Sequence, residues 1–189
     1  MILSRPKIDW NLISQAIAFY KARGYTYVEV PWIVSEEALR VTLPAGKEGL
    51  RTAQGALVGS AEQGFIQMMM DGQLPLGRYV TASPCFRDDT IDALHQQDFF
   101  KVELIDRFSI VRYSVDDART RLIGDASDFF FNFESIPRLK LPKTEAGFDI
   151  ELNGIEIGSY GFRQYKGFFW IYGTGLAEPR FSIARKSLT

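Results

Sequence analysis

Two strand-like segments joined by an Asn-Gly dipeptide are the feature that most limits what this chain can fold into. Phe148–Leu152 and Ile155–Phe162 are rich in β-branched and aromatic residues, and Asn153-Gly154 separates them. Asn-Gly suits a type I′ turn because both central residues of that turn take positive φ. The pattern predicts an antiparallel hairpin, and Phe168–Gly173 predicts a further strand after it.

Helix signals occupy the stretches between the predicted strands. Asp9 is a favourable N-cap, apolar residues follow it at helical spacing, and Gly24 suits the C′ position. Ser114 and Asp117 resemble a capping box that opens a long helix. The predicted helices begin after Asp9, Ser35, Ser60 and Ser114, with a last one near Pro179, and the first four end near Gly24, Val41, Met70 and Phe133.

Further strands are predicted in the first 110 residues of the chain. They are Thr26–Val34, interrupted by Pro31, together with Arg78–Phe86 and Phe99–Ile110, whereas residues 44–59 are Gly-rich and predicted to be loop with short strands. Because most strands follow one another directly, we expect an α+β fold with a largely antiparallel β-sheet flanked by helices. A single domain is expected over residues 1–189.

The composition excludes several kinds of site. The 189 residues include one Cys and one His, Cys85 and His95, so neither an internal disulfide nor a conventional zinc site is expected. The 22 basic and 23 acidic residues nearly cancel, which argues against a protein that wraps nucleic acid. The start has no apolar leader, and no apolar stretch approaches the ~20 residues needed to span a bilayer, so we expect a cytoplasmic protein with no membrane partner.

The segment from Phe86 to Glu103 carries the strongest chemical signal. Arg87 ends one predicted strand and Phe99 begins the next, with a polar loop between them. An Arg fork can hold a phosphate, and a Phe ring can stack on a base, so the segment favours a nucleotide site. The alternative is a solvated hairpin loop with Arg–Asp pairs.

This segment resembles motif 2 of the class II aminoacyl-tRNA synthetases, in which an Arg and an acidic residue precede a loop and an acidic-Phe pair. Arg87, Asp89, Asp98 and Phe99 match that pattern. Three other segments resemble the same family in the same order. They are Arg23–Ile33 (motif 1), Gly59–Gln63 (the Thr-x-Glu loop, with Ser60 for Thr) and Gly173–Arg180 (motif 3, a Gly-rich turn before a helix).

The resemblance spans residues 23–185 and implies a site that forms an aminoacyl-adenylate from ATP. Arg87 and Arg180 would be the catalytic residues that hold phosphates, and Phe99 would stack on adenine. The implied ATP-binding residues are Arg87, Asp89, His95, Asp98, Phe99, Gly173, Gly175 and Arg180. No general base is needed, because the carboxylate of an amino acid is already ionised.

Further roles follow from the same resemblance. Ser60 and Glu62 would bind the amino acid, with Glu62 at its ammonium group, and Glu156 with Ser159 would hold Mg²⁺. Gly24, Tyr25 and Pro31 would lie at the interface of a homodimer. On the residues alone, other interpretations stay open, since Glu62 could be an exposed helix-start acid, His95 a surface loop residue and Pro31 a plain edge-strand proline.

The chain also departs from the family pattern. Glu178-Pro179 stands before Arg180, where small residues are usual. The motifs fill the chain, so no anticodon-binding domain is expected. The motif 2 loop resembles phenylalanyl, lysyl and pyrrolysyl enzymes, whereas the Ser60 loop and motif 3 resemble seryl enzymes, so the amino acid is left open. The acceptor could be tRNA or another molecule, and the alternative is a catalytically silent paralogue that binds a ligand or serves as an accessory subunit.

Overall fold

The computed structural model describes residues 7–92, 94–134, 139–145 and 147–186. Its helices are α1 (Trp10–Ala22), α2 (Glu36–Arg40), α3 (Ala61–Met70), α4 (Val115–Glu134) and α5 (Arg180–Lys186). Its strands are β1 (Thr26–Tyr27), β2 (Ile33–Val34), β3 (Arg51–Thr52), β4 (Gly55–Leu57), β5 (Gly77–Phe86), β6 (Asp98–Arg107), β7 (Leu139–Lys140), β8 (Gly147–Leu152), β9 (Ile155–Tyr165) and β10 (Phe168–Glu178).

Two sheets organise these strands. The larger has seven strands in the order β1-β5-β6-β10-β9-β8-β7, and the smaller has the order β2-β4-β3. Among the strands of the described residues, only the short β1 runs parallel to its neighbour β5, and the other pairs are antiparallel. The predicted α+β class with a largely antiparallel sheet flanked by helices is therefore confirmed.

The predicted hairpin is present at the end of β8. Leu152 pairs with Ile155, and the turn residues Asn153 and Gly154 have φ of 54° and 79°. Positive φ is accessible to glycine and tolerated by asparagine, which is why this dipeptide closes the hairpin without strain.

The predicted strand segment Thr26–Val34 is interrupted at Pro31, as expected, but its strands are shorter than predicted. The structure divides it into β1, at the edge of the large sheet, and β2, in the small sheet. Pro31 lies between them and has no backbone N–H to donate to a ladder, so the chain leaves one sheet there and enters the other. The strand predicted to reach Ile110 is also shorter, because β6 ends at Arg107.

Side chains cap the N-termini of α1, α2 and α4, as predicted. Asp9 Oδ1 accepts a hydrogen bond from Leu12 N at 3.0 Å, and Ser35 Oγ accepts one from Ala38 N at 3.2 Å. Ser114 Oγ accepts one from Asp117 N at 3.0 Å. These bonds satisfy N–H groups that have no partner inside the helix.

The cap of α1 can be tested by substitution. Asp9→Ala should lower the free energy of unfolding by about 1 kcal/mol, because it removes the acceptor for Leu12 N. Urea denaturation measures the change. Asp9→Asn is the matched control, since asparagine also caps, and a loss as large in this variant would contradict the capping explanation.

The large sheet has a different covering on each face. On one face, α1, α4 and α5 pack a core that includes Tyr20, Phe129 and Phe181. On the other face, α2 and α3 pack a second core around Phe65 and Trp170. None of the helices in the described part of the chain has the length and apolar character that crossing a lipid bilayer requires.

Candidate active site

A cavity of about 690 Å³ lies on the face of the large sheet that α2 and α3 cover. Its walls come from β6, β9 and β10, from the start of α3, and from residues 42–44, 46–49, 86–89 and 94–96 in loops. The residues that the sequence singled out and that line this cavity are Ser60, Glu62, Arg87, Asp89, His95, Phe99, Glu156, Ser159 and Arg180. Groups from three of the four motifs thus meet in one place with Glu156 and Ser159 of β9, whereas the motif 1 segment does not line the cavity.

Gly173 and Gly175 lie elsewhere, in β10. The segment predicted to be a Gly-rich turn is strand instead, paired with β6 through a bulge between Thr174 and Leu176. A Cβ at Gly173 would lie 2.4 Å from Leu122 Cδ2, and one at Gly175 would lie 2.7 Å from Tyr20 Cε2. The glycines permit close packing of β10 against α4 and α1, so neither is placed to touch a ligand in the cavity.

The arginine and the phenylalanine of motif 2 are in contact. The guanidinium carbon of Arg87 lies 5.0 Å from the centroid of the Phe99 ring, within the range of a cation–π interaction. Arg87 Nε also donates to Gly59 O at 2.9 Å. Arg87 is exposed to solvent, so its terminal nitrogens remain accessible to an anion.

The loop between β5 and β6 carries its own polar contacts. Lys47 Nζ lies 3.1 Å from Asp89 Oδ1, which ties the 42–49 loop to this one. His95 Nδ1 lies 2.8 Å from Asp92 Oδ2. This contact, together with the N–H groups of Leu94 and His95, lowers the pKa of Asp92 to about 2. Asp98 does not line the cavity.

Arg180 is the first residue of α5 and lines the cavity. Its Nη1 lies 3.6 Å from Oε1 of Glu156, which also lines the cavity. The unusual Glu178 is buried, and its carboxylate accepts hydrogen bonds from Ser182 N at 3.1 Å and from Ser182 Oγ at 2.8 Å. Burial raises the pKa of Glu178. Glu178 therefore binds the first turn of α5, and Arg180 lines the cavity. Pro179, which was predicted at the first helical position, lies one residue before the start of α5.

A buried carboxylate, Glu103, lies at the inner end of the cavity. It accepts hydrogen bonds from Ser60 Oγ at 2.7 Å, from Glu62 N at 3.1 Å and from Lys101 Nζ at 2.6 Å. Burial acts to raise the pKa of Glu103, but the Lys101 charge and these hydrogen bonds outweigh it and hold the pKa below the usual glutamate value.

Glu62 lies beside this group and is only 6% exposed, which rules out the exposed helix-start interpretation. Its Oε1 accepts from Trp170 Nε1 at 2.7 Å and lies 3.2 Å from Arg163 Nε. Burial raises the pKa of Glu62, although Arg163 opposes the shift. The Arg163 guanidinium in turn lies 4.5 Å from the centroid of the Tyr172 ring.

Several residues of this site were not predicted. Lys101 and Glu103 could have been found, because Phe99, Lys101 and Glu103 alternate along β6 and so share one face of the strand. Arg163 and Tyr172 belong to no motif, and their proximity depends on the pairing of β9 with β10. Lys47 lies in an irregular loop, where no periodic pattern identifies it.

Glu156 and Ser159 lie on the cavity wall, where their side-chain oxygens could serve as ligands for the predicted Mg²⁺. Within residues 7–92, 94–134, 139–145 and 147–186, no three His, Cys, Asp or Glu side chains form a metal-binding group. Mg²⁺ at nucleotide sites commonly takes one or two carboxylates and completes its shell with phosphates and water. The pair therefore fits a Mg²⁺ that arrives with a nucleotide and does not form a cage for the metal alone.

Comparison with known proteins identifies the architecture. No protein-family model matches the sequence. The chain is 28% identical over 111 residues to a serine–tRNA ligase of Cenarchaeum symbiosum (strain A), and the match covers 53% of this chain and 26% of that enzyme. It therefore corresponds to about a quarter of the length of that relative.

Solved structures of synthetases share the fold. Seryl-tRNA synthetase from Pyrococcus horikoshii, solved with ATP, superposes with a TM-score of 0.76 at 19% identity, covering 93% of this chain and 49% of that one. Pyrrolysyl-tRNA synthetase from Desulfitobacterium hafniense superposes with a TM-score of 0.73 at 14% identity, covering 99% of this chain and 72% of that one. The fold is that of the class II aminoacyl-tRNA synthetase catalytic core, as the four motifs predict.

Proposed function

We propose that this protein activates an amino acid with ATP, forming an aminoacyl-adenylate and pyrophosphate. The observation that carries the proposal is the meeting of Arg87, Phe99, Arg180 and the buried Glu62 in one cavity. The similarity of the fold to a seryl-tRNA synthetase solved with ATP supports it.

The nucleotide would occupy the outer part of the cavity. Adenine would stack on Phe99, with Arg87 at the α-phosphate, where negative charge builds as the bond forms. Arg180 would hold the γ-phosphate, and His95 would reach the β- and γ-phosphates from the loop. Lys47 adds a cation on the same side, in contact with Asp89.

The amino acid would occupy the inner part. Its ammonium would bind the Glu62 carboxylate, whose Oε2 is not used by Trp170 or Arg163. One oxygen of the substrate carboxylate would form a bond to the α-phosphorus of ATP, and the bond from that phosphorus to the bridging oxygen would break, releasing pyrophosphate with its electron pair. Positioning and charge stabilisation then supply the catalysis.

Glu156 and Ser159 would hold Mg²⁺ with the nucleotide, and the ion would neutralise charge on the leaving pyrophosphate. Arg180, already 3.6 Å from Glu156, would then act beside it on the same phosphates. We expect omission of Mg²⁺ to abolish activity and to weaken ATP binding.

ATP–pyrophosphate exchange with each of the twenty amino acids tests the proposal. Exchange with at least one of them, and an adenylate detected by mass spectrometry, would support it. Absence of both, together with no ATP binding in a calorimetric titration, would refute it. Binding without turnover would favour the silent paralogue. Transfer to tRNA is the step that would follow activation, and aminoacylation of total tRNA tests it.

We propose a homodimer formed through the motif 1 segment. Tyr25 is buried in its own chain and donates from its hydroxyl to Asp125 Oδ2 at 3.1 Å, so its ring is not available at the surface. Trp32, 51% exposed, and Tyr27, 37% exposed, supply the apolar surface instead. Light scattering should give twice 21.5 kDa, and Trp32→Asp should shift the protein to the monomer mass. A monomer in the unmodified protein would contradict this assembly.

A further inference from the structure

Arg163 is the least explained charged group in the cavity. Neither phosphate binding nor the proposed recognition of the ammonium group requires it. Its Nε is buried, lies 3.2 Å from Glu62 Oε1, and makes no hydrogen bond of good geometry among the described residues. Its side chain is nevertheless 32% exposed and lines the cavity. The terminal nitrogens of the guanidinium are therefore the part that can reach a ligand.

The surroundings hold this guanidinium in one orientation. Glu62 contacts it at one edge, and the face of Tyr172 lies 4.5 Å from its central carbon. Glu62 is itself held by Trp170 Nε1 at 2.7 Å. An Arg fixed in this way presents two parallel N–H groups, a geometry that matches a carboxylate with two hydrogen bonds.

Charge balance at the inner end of the cavity points to the same ligand. Glu62 and Glu103 carry two negative charges, and Lys101 and Arg163 carry two positive charges in contact with them. The ammonium group of a bound amino acid would add one positive charge to this balanced set, because its α-carboxylate would lie apart from it, at the α-phosphate of ATP. A carboxylate on the substrate side chain would restore neutrality in a place where unbalanced charge is costly.

We infer that the amino acid taken by this cavity has a carboxylate side chain, as aspartate and glutamate do, and that Arg163 recognises it. The inference rests on the proposed activation of an amino acid in this cavity. A site built to pair a polar group rejects an analogue that lacks it, because its own buried groups lose their partner. Leucine and phenylalanine should therefore be used on the order of 10⁴-fold less well than the acidic substrate.

The test compares amino acids in ATP–pyrophosphate exchange for the unmodified protein and for Arg163→Gln. We expect aspartate or glutamate to be used in preference to the matching amide, asparagine or glutamine. In Arg163→Gln, kcat/KM for the acid should fall about 100-fold, and the preference for acid over amide should disappear while the KM for ATP stays unchanged. Arg163→Lys, which keeps the charge but loses the fork, should give an intermediate preference.

Arg119→Gln is the matched control. Arg119 also stacks on an aromatic ring, with its guanidinium carbon 5.2 Å from the Phe148 centroid, and it pairs with Asp116, but it lies outside the cavity. This variant should keep both the activity and the preference. An equal loss of preference in Arg119→Gln would assign the effect to general damage and overturn the role of Arg163.

The outcomes separate this inference from the proposed function. Exchange driven by an apolar or hydroxyl amino acid but not by an acidic one would overturn the inference and leave activation standing. If no amino acid supports exchange, calorimetric titration of aspartate and glutamate in the presence of AMP tests the pocket directly. Binding to the unmodified protein that is lost in Arg163→Gln would support the inference without turnover, and no binding would overturn it.

Discussion

Arg87→Ala should lower kcat for ATP–pyrophosphate exchange by about 10²- to 10³-fold, the usual loss when one group that stabilises transition-state charge is removed. The proposed role of Arg87 is to hold the α-phosphate while it gains negative charge, and its guanidinium already lies over the ring of Phe99. Arg87→Lys should recover only part of the activity, because an ammonium cannot reproduce the planar fork. Single-turnover kinetics separate the chemical step from ATP binding.

The fold should survive the loss of Arg87. Its side chain is exposed, and its Nε donates a hydrogen bond to the carbonyl oxygen of Gly59. Thermal unfolding of Arg87→Ala should therefore match that of the unmodified protein. Arg119→Ala is the control for removal of an arginine outside the cavity, and a similar loss of exchange in that variant, or full activity in Arg87→Ala, would contradict the assignment.

Glu103→Ala should lower the free energy of unfolding by about 3–5 kcal/mol, because removing one partner of a buried ion pair leaves the other charge unpaired. Lys101, with its side chain 14% exposed, would lose the carboxylate that lies 2.6 Å from its Nζ. Ser60 Oγ and Glu62 N would also lose their acceptor. Equilibrium denaturation in urea measures the change.

The exposed Glu36 offers a contrast for this prediction. It also pairs with arginines, Arg40 and Arg51, but its side chain is 39% exposed, so Glu36→Ala should have a small effect. If the two substitutions cost the same, burial would not explain the strength of the Glu103 site.

The contribution of Glu103 should also depend on pH. Its pKa is lower in the folded state than the ordinary value of 4.5, so its ionised form stabilises the fold above that value. The contribution is lost as the pH falls through the lowered folded pKa. The difference in unfolding free energy between the unmodified protein and Glu103→Gln should therefore be largest near neutral pH and shrink below about pH 4.5. A difference that does not change with pH would contradict the lowered pKa.

The elements that were predicted from sequence are those whose signals are local. The Asn153-Gly154 turn and the capping residues Asp9, Ser35 and Ser60 act on the backbone within a few residues, so they can be recognised without knowledge of the fold. The interruption of segment 26–34 at Pro31 was predicted, but the entry of its two halves into different sheets was not, because distant strands set the partner of each half.

The same distinction applies to the site. Phe99 and Arg87 lie at the ends of neighbouring strands and were predicted together. Arg163 was not, because its contacts with Glu62 and Tyr172 join α3, β9 and β10 and exist only after the sheet has formed. Gly173 and Gly175 were misread as a turn because glycine serves equally in turns and where a helix packs closely on a strand.

The two faces of β10 have a consequence for redesign. One face of β10 is the cavity side, with Tyr172 and Thr174 in the cavity wall and Trp170 in contact with Glu62. On the opposite face, Gly173 and Gly175 leave no room for a larger side chain, because α4 and α1 pack closely against them. The room for a larger side chain therefore alternates along the strand from Tyr172 to Gly175. A library at Tyr172 and Thr174 can therefore vary the shape and charge of the cavity while the packing of α1 and α4 on the other face of the strand stays intact.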